Sequence, residues 1–347
     1  MSNPVIKESH KLVRIAGALL RDGDEFLHQH AQFVENGLPG YGDCLFTLKQ
    51  IDECDALVVF NTPSEPLSVT VPENHIYAFM MEPGYHFVNP WMYEGLDQYS
   101  KVYSPKPVSS NIIASHGFLG WSVDKSMNQL VAMNPPEKTR RLSCILSDAH
   151  IYSGHRSRLA FIQKLIDRDV QFELMGKGFH PVKDKWSGLA PYLYSIALEN
   201  GSMPHYFTEK ITDCFLAWTL PIYWGCTNLE EYFPPESFIR IDVEKPDEAV
   251  EIIRSLSESD YERRFEALAE ARRLVISEYQ PLAKINNLLH DELPASKSKV
   301  SIKPVLPNPF LKKIFGIWKN YGNRVTDRLL GHYYLDQMRL FAHKTFD

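Results

Sequence analysis

Between Leu142 and Ile241 the chain alternates short apolar runs with segments of helical periodicity, and this alternation restricts its fold more than any other feature. Residues 142–146, 170–175, 194–198, 220–224 and 238–241 read as strands. Residues 158–166 carry apolar side chains at 159, 162, 165 and 166, a helical spacing. Phe207, Ile211, Cys214, Phe215 and Trp218 mark an amphipathic helix that stops before Pro221. Residues 247–256 and 261–277 read as polar-faced helices. Strand alternating with helix predicts a parallel sheet with helices on both faces.

The first half follows the same pattern less clearly. Residues 12–20, 56–60, 75–81 and 101–103 read as strands, the third ending at Glu82-Pro83-Gly84. A polar stretch with two prolines, residues 133–140, reads as a linker. At roughly 100–200 residues per domain, 347 residues make two domains the natural expectation. The sequence therefore predicts an α/β protein of two Rossmann-like domains facing a cleft, 1–135 and 136–295, followed by a basic tail, 296–347.

Composition excludes several classes. At 44% hydrophobic and 23% charged, the chain is neither disordered nor fibrous. A formal charge of −6 argues against a nucleic-acid partner. The five cysteines are odd in number and contain no CxxC pair, so reduced thiols are expected rather than a zinc site or a disulfide framework. The N-terminus has no basic start followed by an apolar core, and no apolar run reaches the ~18 residues that span a bilayer, so a cytoplasmic location is expected.

The densest chemical signal runs from Tyr194 to Lys210. A strand ends at Glu199-Asn200, a polar loop follows, and a helix opens near Tyr206. Ligands of open α/β sheets bind at the carboxyl ends of strands, and a helix N-terminus there suits a phosphate. Lys210 in the first turn opposes the helix dipole, which a bound anion would relieve. Glu209 faces away from the apolar stripe, placed to accept from ribose hydroxyls. The same two charges would also suit a solvated helix start.

Residues 194–225 resemble the signature of the family 10 glycosyltransferases of bacterial type, fucosyltransferases that use GDP-fucose. The resemblance lies in Glu199-Asn200, five residues, Tyr206-Phe207-Thr208-Glu209-Lys210, then Leu220-Pro221-Ile222-Tyr223-Trp224-Gly225. It extends more weakly through Phe233-Pro234 and Phe238-Ile239, and upstream to Ser147 and the 158–165 helix. It implies a GT-B-like fold, with 1–135 as the acceptor-binding half and 136–295 as the donor-binding half, and inverting transfer of L-fucose to a hydroxyl of an oligosaccharide or lipid-linked glycan. It implies Arg158 and Lys210 on the donor pyrophosphate, Glu209 on the ribose, and Asn200 and Tyr206 near the phosphates or sugar. Arg156 is the alternative to Arg158. No metal and no cofactor are expected, because preorganised cations offset the charge that grows on departing GDP. A same-fold transferase using another nucleotide sugar and a non-catalytic glycan-binding protein are the rival readings.

The catalytic base is expected from the first half. Glu82, at a strand's end before Pro83-Gly84, resembles the family's strand-end glutamate, with Asp43 and Asp55 as rivals. His116-Gly117-Phe118-Leu119-Gly120-Trp121 resembles a stretch in bacterial relatives and suits either an acceptor cleft or a packed turn. Gly37, Gly40 and Gly42 make no dinucleotide fingerprint. Asp167-Arg168-Asp169 has the form of a metal motif but reads as a solvated helix end, and Gly176-Lys177-Gly178 is too short to specify a phosphate loop. From Lys303 to Lys344 there are eight Lys/Arg and two acidic residues, with apolar residues at near-helical spacing. This suits either an anionic membrane surface at the inner face of the cytoplasmic membrane or a helix packed on the body.

Overall fold

The computed structural model describes residues 10–17, 23–81, 93–107, 109–117, 120–150, 153–305, 338 and 341–342. The chain forms two compact units. Unit 1 holds residues 1–118, 125–131 and 278–306, and unit 2 holds 119–124, 132–277 and 307–347.

Unit 1 opens with β1 (Lys11–Gly17), α1 (Asp24–His30), β2 (Phe33–Glu35), β3 (Leu38–Tyr41) and β4 (Cys44–Thr47). β5 (Ala56–Phe60), β6 (Leu67–Pro72), β7 (Ile76–Phe79), β8 (Lys101–Ser104), β9 (Ile112–Ala114) and α2 (Met127–Ala132) follow. The main sheet has the order β2-β3-β4-β1-β5-β7-β8-β9. It is parallel from β4 to β9 and antiparallel across β2, β3 and β4. Asn36-Gly37, both at positive φ, make the two-residue hairpin turn between β2 and β3. In β5, Val58 and Phe60 enter one buried cluster and Leu57 and Val59 another, so the sheet is covered on both faces.

Unit 2 contains β10 (Arg140–Ile145), α3 (Ser153–Ile166), β11 (Glu173–Met175), β12 (Tyr192–Leu198), α4 (Glu209–Leu216), β13 (Leu220–Trp224), β14 (Ile239–Arg240), α5 (Pro246–Ser255) and α6 (Glu258–Leu274). Its strands are all parallel in the order β11-β10-β12-β13-β14. The chain moves one way from β10 and the other way from β12, so the topological switch point lies between these two strands. Two Rossmann-like α/β units in one chain agree with the GT-B-like expectation.

After unit 2 the chain returns to unit 1 through α7 (Pro281–His290) and β15 (Lys297–Ile302). Leu282, Ile285 and Leu289 are buried in the core beside Val58 and Phe60, each worth about 1.5–3 kcal/mol if fully buried. β15 pairs antiparallel with β6, and Lys101 bridges to Glu292 at 2.7 Å. Residues 278–306, read from sequence as the end of the donor half and the start of the tail, thus belong to unit 1. Among the described tail residues, Met338 and Ala342 are buried and Phe341 meets Phe172 of unit 2 with ring centroids 4.9 Å apart. The rest of the basic amphipathic segment lies outside the described residues. Among those described, no helix is long and apolar enough to cross a membrane.

Candidate functional site

The loops leaving the switch point carry the expected donor residues. Gly154, in the first turn of α3, lies so close to Asn200 that an added Cβ would sit 1.6 Å from the Asn200 carbonyl oxygen. Only glycine permits this approach, which brings the α3 N-terminus against the loop after β12. Arg158, one turn further on, is buried, and its Nη1 donates to the Leu198 carbonyl at 3.2 Å. Its Nε has no hydrogen-bond partner among the described residues. Burial lowers the Arg158 pKa, while Glu199 supports its charge. Arg156 is half-buried and donates to the His150 carbonyl at 3.3 Å. His155, between Gly154 and Arg156, is pushed down to about 4 by burial and by Arg158, Lys210, Arg156 and His150. Arg156 and Arg158 thus both belong to the first turns of α3.

The helix expected near Tyr206 begins three residues later, because Thr208 is its N-cap and α4 starts at Glu209. Tyr206 and Phe207 precede it and are buried. The Glu199 carboxylate, fully buried, accepts from Thr208 N at 2.8 Å and from Thr208 Oγ1 at 2.8 and 3.0 Å. Lys210 Nζ donates to Thr208 Oγ1 at 2.9 Å and lies 3.4 Å from both Glu199 Oε2 and Glu209 Oε1. The charge opposing the helix dipole therefore already has a protein counterion in Glu199. Burial raises the Glu199 carboxyl against the pull of Lys210. The Glu209 carboxyl, which burial alone would raise, is held down to about 2 by Lys210 and Lys185.

Lys185 and Asp213 complete this cluster and were not singled out from sequence. Asp213 lies one turn beyond Glu209 on α4, which was a usable signal, but Lys185 sits on the irregular connection from β11 to β12. Lys185 Nζ is 2.9 Å from Asp213 Oδ2 and 3.6 Å from Glu209 Oε1. A cavity of about 30 Å³, room for about one water, is bounded in part by Lys185, Lys210, Asp213 and Cys214.

The other sequence candidates separate. Glu82 lies outside the described residues. The Asp55 carboxylate accepts from Leu12 N at 2.8 Å and from Lys297 Nζ at 2.9 Å, tying β1 and β15 to the sheet. Asp43 sits in the exposed turn between β3 and β4. His116 and Trp121 are both buried. Asp167 accepts from Gln163 at 2.8 Å and Asp169 has φ 57°, so that motif is the end of α3. An added Cβ at Gly178 would sit 2.1 Å from the Asp148 carboxyl carbon, so the Gly176–Gly178 turn is packed against a carboxylate. All five cysteines are free and buried. Among the described residues no three His, Cys, Asp or Glu side chains group to hold a metal ion.

Residues 135–273 match the family model described as glycosyltransferase family 10 (fucosyltransferase), C-terminal. The alpha-(1,3)-fucosyltransferase FucT of Helicobacter pylori is 38% identical over 76 residues, 22% of this chain and 16% of that protein. The 4-galactosyl-N-acetylglucosaminide 3-alpha-L-fucosyltransferase FUT6 of Homo sapiens is 26% identical over 220 residues, 59% of this chain and 58% of that protein. The chain thus spans less than two thirds of the length of either relative. A crystal structure of an alpha1,3-fucosyltransferase with GDP shares 17% identity at a TM-score of 0.46, covering 81% of this chain and 95% of that one.

Proposed function

Because residues 135–273 carry the family 10 glycosyltransferase C-terminal domain, we propose that the protein is an inverting transferase that moves L-fucose from GDP-fucose to a glycan hydroxyl. The observation that carries this reading is that two cations meet the carboxyl end of β12, Arg158 through the Leu198 carbonyl at 3.2 Å and Lys210 beside Glu199 at 3.4 Å. A diphosphate leaving group gains negative charge as its bond to the sugar breaks, and fixed cations in a partly buried site stabilise that charge without reorganising. Arg158 and Lys210 hold the pyrophosphate in this account. Glu209 accepts from the ribose, and Asn200 and Tyr206 line the phosphate or sugar. The fixed cations take the part that a metal plays in other transferases.

Glu82 takes the acceptor hydroxyl proton as the oxygen attacks the anomeric carbon. The acceptor is an oligosaccharide or lipid-linked glycan with an N-acetylglucosamine or glucose unit. That class is supported by the galactosyl-N-acetylglucosaminide acceptor in the name of the human relative. The protein works in the cytoplasm, and the basic stretch outside the described residues meets the anionic inner face of the membrane.

The test is incubation with GDP-fucose, GDP-mannose and UDP-sugars against a panel of glycan acceptors, read by mass spectrometry. A deoxyhexose increment from GDP-fucose alone is the expected result. Transfer from another donor would assign a different sugar. Glycan binding without transfer from any donor would make the protein a lectin-like module.

A further inference from the structure

We propose that Lys185, on the connection between β11 and β12, is a positioning residue of the donor site: anchored by Asp213, it fixes the Glu209 carboxylate where a nucleotide ribose is read. The inference rests on the donor reading above.

The geometry is a chain of fixed groups. Asp213 is buried, and both its oxygens are engaged: Oδ1 accepts from Ser122 N at 2.9 Å and Oδ2 faces Lys185 Nζ at 2.9 Å. An aspartate held at both oxygens is a rigid mount. Lys185 Nζ then reaches Glu209 Oε1 at 3.6 Å, and Lys210 approaches the same oxygen at 3.4 Å. Both ammonium groups therefore approach Glu209 at the same oxygen, Oε1. Glu209 and Asp213 are four residues apart on α4, a spacing at which like charges repel. Lys185 bridges them and turns that repulsion into two attractions.

Exposure decides which of the two carboxylates can meet a ligand. The Glu209 side chain is 33% exposed and that of Asp213 only 1%. Glu209 is thus the reachable end of the chain and Asp213 its buried root. The two lysines keep the Glu209 carboxylate ionised, the state that accepts from a hydroxyl. A glutamate side chain has several free torsions, and losing Lys185 would shift the cost of ordering it onto the binding step.

The test uses the full chain and two probes, GDP and 2′,3′-dideoxy-GDP, which lacks both ribose hydroxyls, titrated by calorimetry. The wild type is expected to prefer GDP by about ten-fold or more, the scale of a hydrogen bond to a charged group. Lys185→Met is expected to bring that preference close to one while leaving the dideoxy analogue bound nearly as in the wild type. Lys185→Arg is expected to restore much of it. Lys185→Met leaves Asp213 buried without its cation, so Lys185→Met with Asp213→Asn supplies a second variant without the stranded charge. A Lys185→Met or double variant that keeps the wild-type preference overturns the proposal. Equal weakening of both nucleotides also overturns it, because that shows a structural role only. A wild type that binds GDP without ribose preference overturns it while sparing the donor reading. A wild type that binds neither nucleotide overturns the donor reading, and this proposal with it.

Discussion

The Lys210 ammonium group lies 3.4 Å from the Glu199 carboxylate, which has no solvent exposure. The same carboxylate holds Thr208, the residue that caps the helix bearing Lys210. The strand-end glutamate and the helix-start lysine are therefore two parts of one device. Removing one member of a buried ion pair costs roughly 3–5 kcal/mol, because the other charge is left uncompensated. Glu199→Ala is expected to lose stability on that scale in urea unfolding and to lose GDP affinity as the α4 start loosens. A variant of wild-type stability would show that Thr208 and Lys210 hold the helix start without it.

Gly154→Ala is expected to weaken both folding and nucleotide binding. The new methyl group would meet the Asn200 carbonyl oxygen at 1.6 Å, and the Asn200 atoms around it are backbone, with no side-chain torsion to turn them away. Forced repacking of this kind costs roughly 1–3 kcal/mol. Thermal melts and GDP titration of the variant check it, and unchanged values in both would place the start of α3 elsewhere.

The pH dependence of stability has a definite sign at Glu209. Its carboxyl is lowered from an ordinary 4.5 to about 2 by Lys210 and Lys185, which outweigh burial. An acid whose folded pKa is depressed adds stability above its unfolded pKa and loses that stability as pH falls through the folded value. The stability gap between wild type and Glu209→Gln is therefore expected to be present at pH 6 and to close between about pH 4.5 and 2. Denaturant midpoints measured across that range check it. A gap that stays constant would show that the lysines do not hold this carboxylate.

How much was legible before the structure depended on whether a feature is periodic or relational. The strands of unit 2 and the amphipathic helix behind Lys210 follow from apolar spacing, and the structure places them within a few residues of expectation. The Glu199–Lys210 cluster was legible as a local unit because strand end, loop and helix start are contiguous. Lys185 was not, because it arrives from an irregular connection and gains meaning only beside Asp213. The return of α7 to unit 1 was equally hidden. Its apolar face was readable, but nothing in the spacing of Leu282, Ile285 and Leu289 says which core they enter. Asp55 shows the opposite failure, since a carboxylate before a strand looks available until its bonds to Leu12 and Lys297 are seen.

Glu82→Gln is expected to lower turnover by about 10²–10⁴-fold, the usual contribution of a general base. GDP affinity and melting temperature are expected to change little, because the proposed donor contacts come from unit 2. Steady-state kinetics beside GDP calorimetry separate these readouts. Full activity would pass the role to Asp43, the rival whose carboxylate is exposed.

The cations at the switch point of unit 2 are proposed to bind the diphosphate of the donor. Calorimetric titration of GDP into the wild type, Arg158→Ala, Lys210→Ala and Arg156→Ala measures it most directly. The wild type is expected to bind one GDP. Arg158→Ala and Lys210→Ala are each expected to lose about 1.5–3 kcal/mol of binding, and Arg156→Ala less. GDP affinity unchanged in both Arg158→Ala and Lys210→Ala would contradict the account.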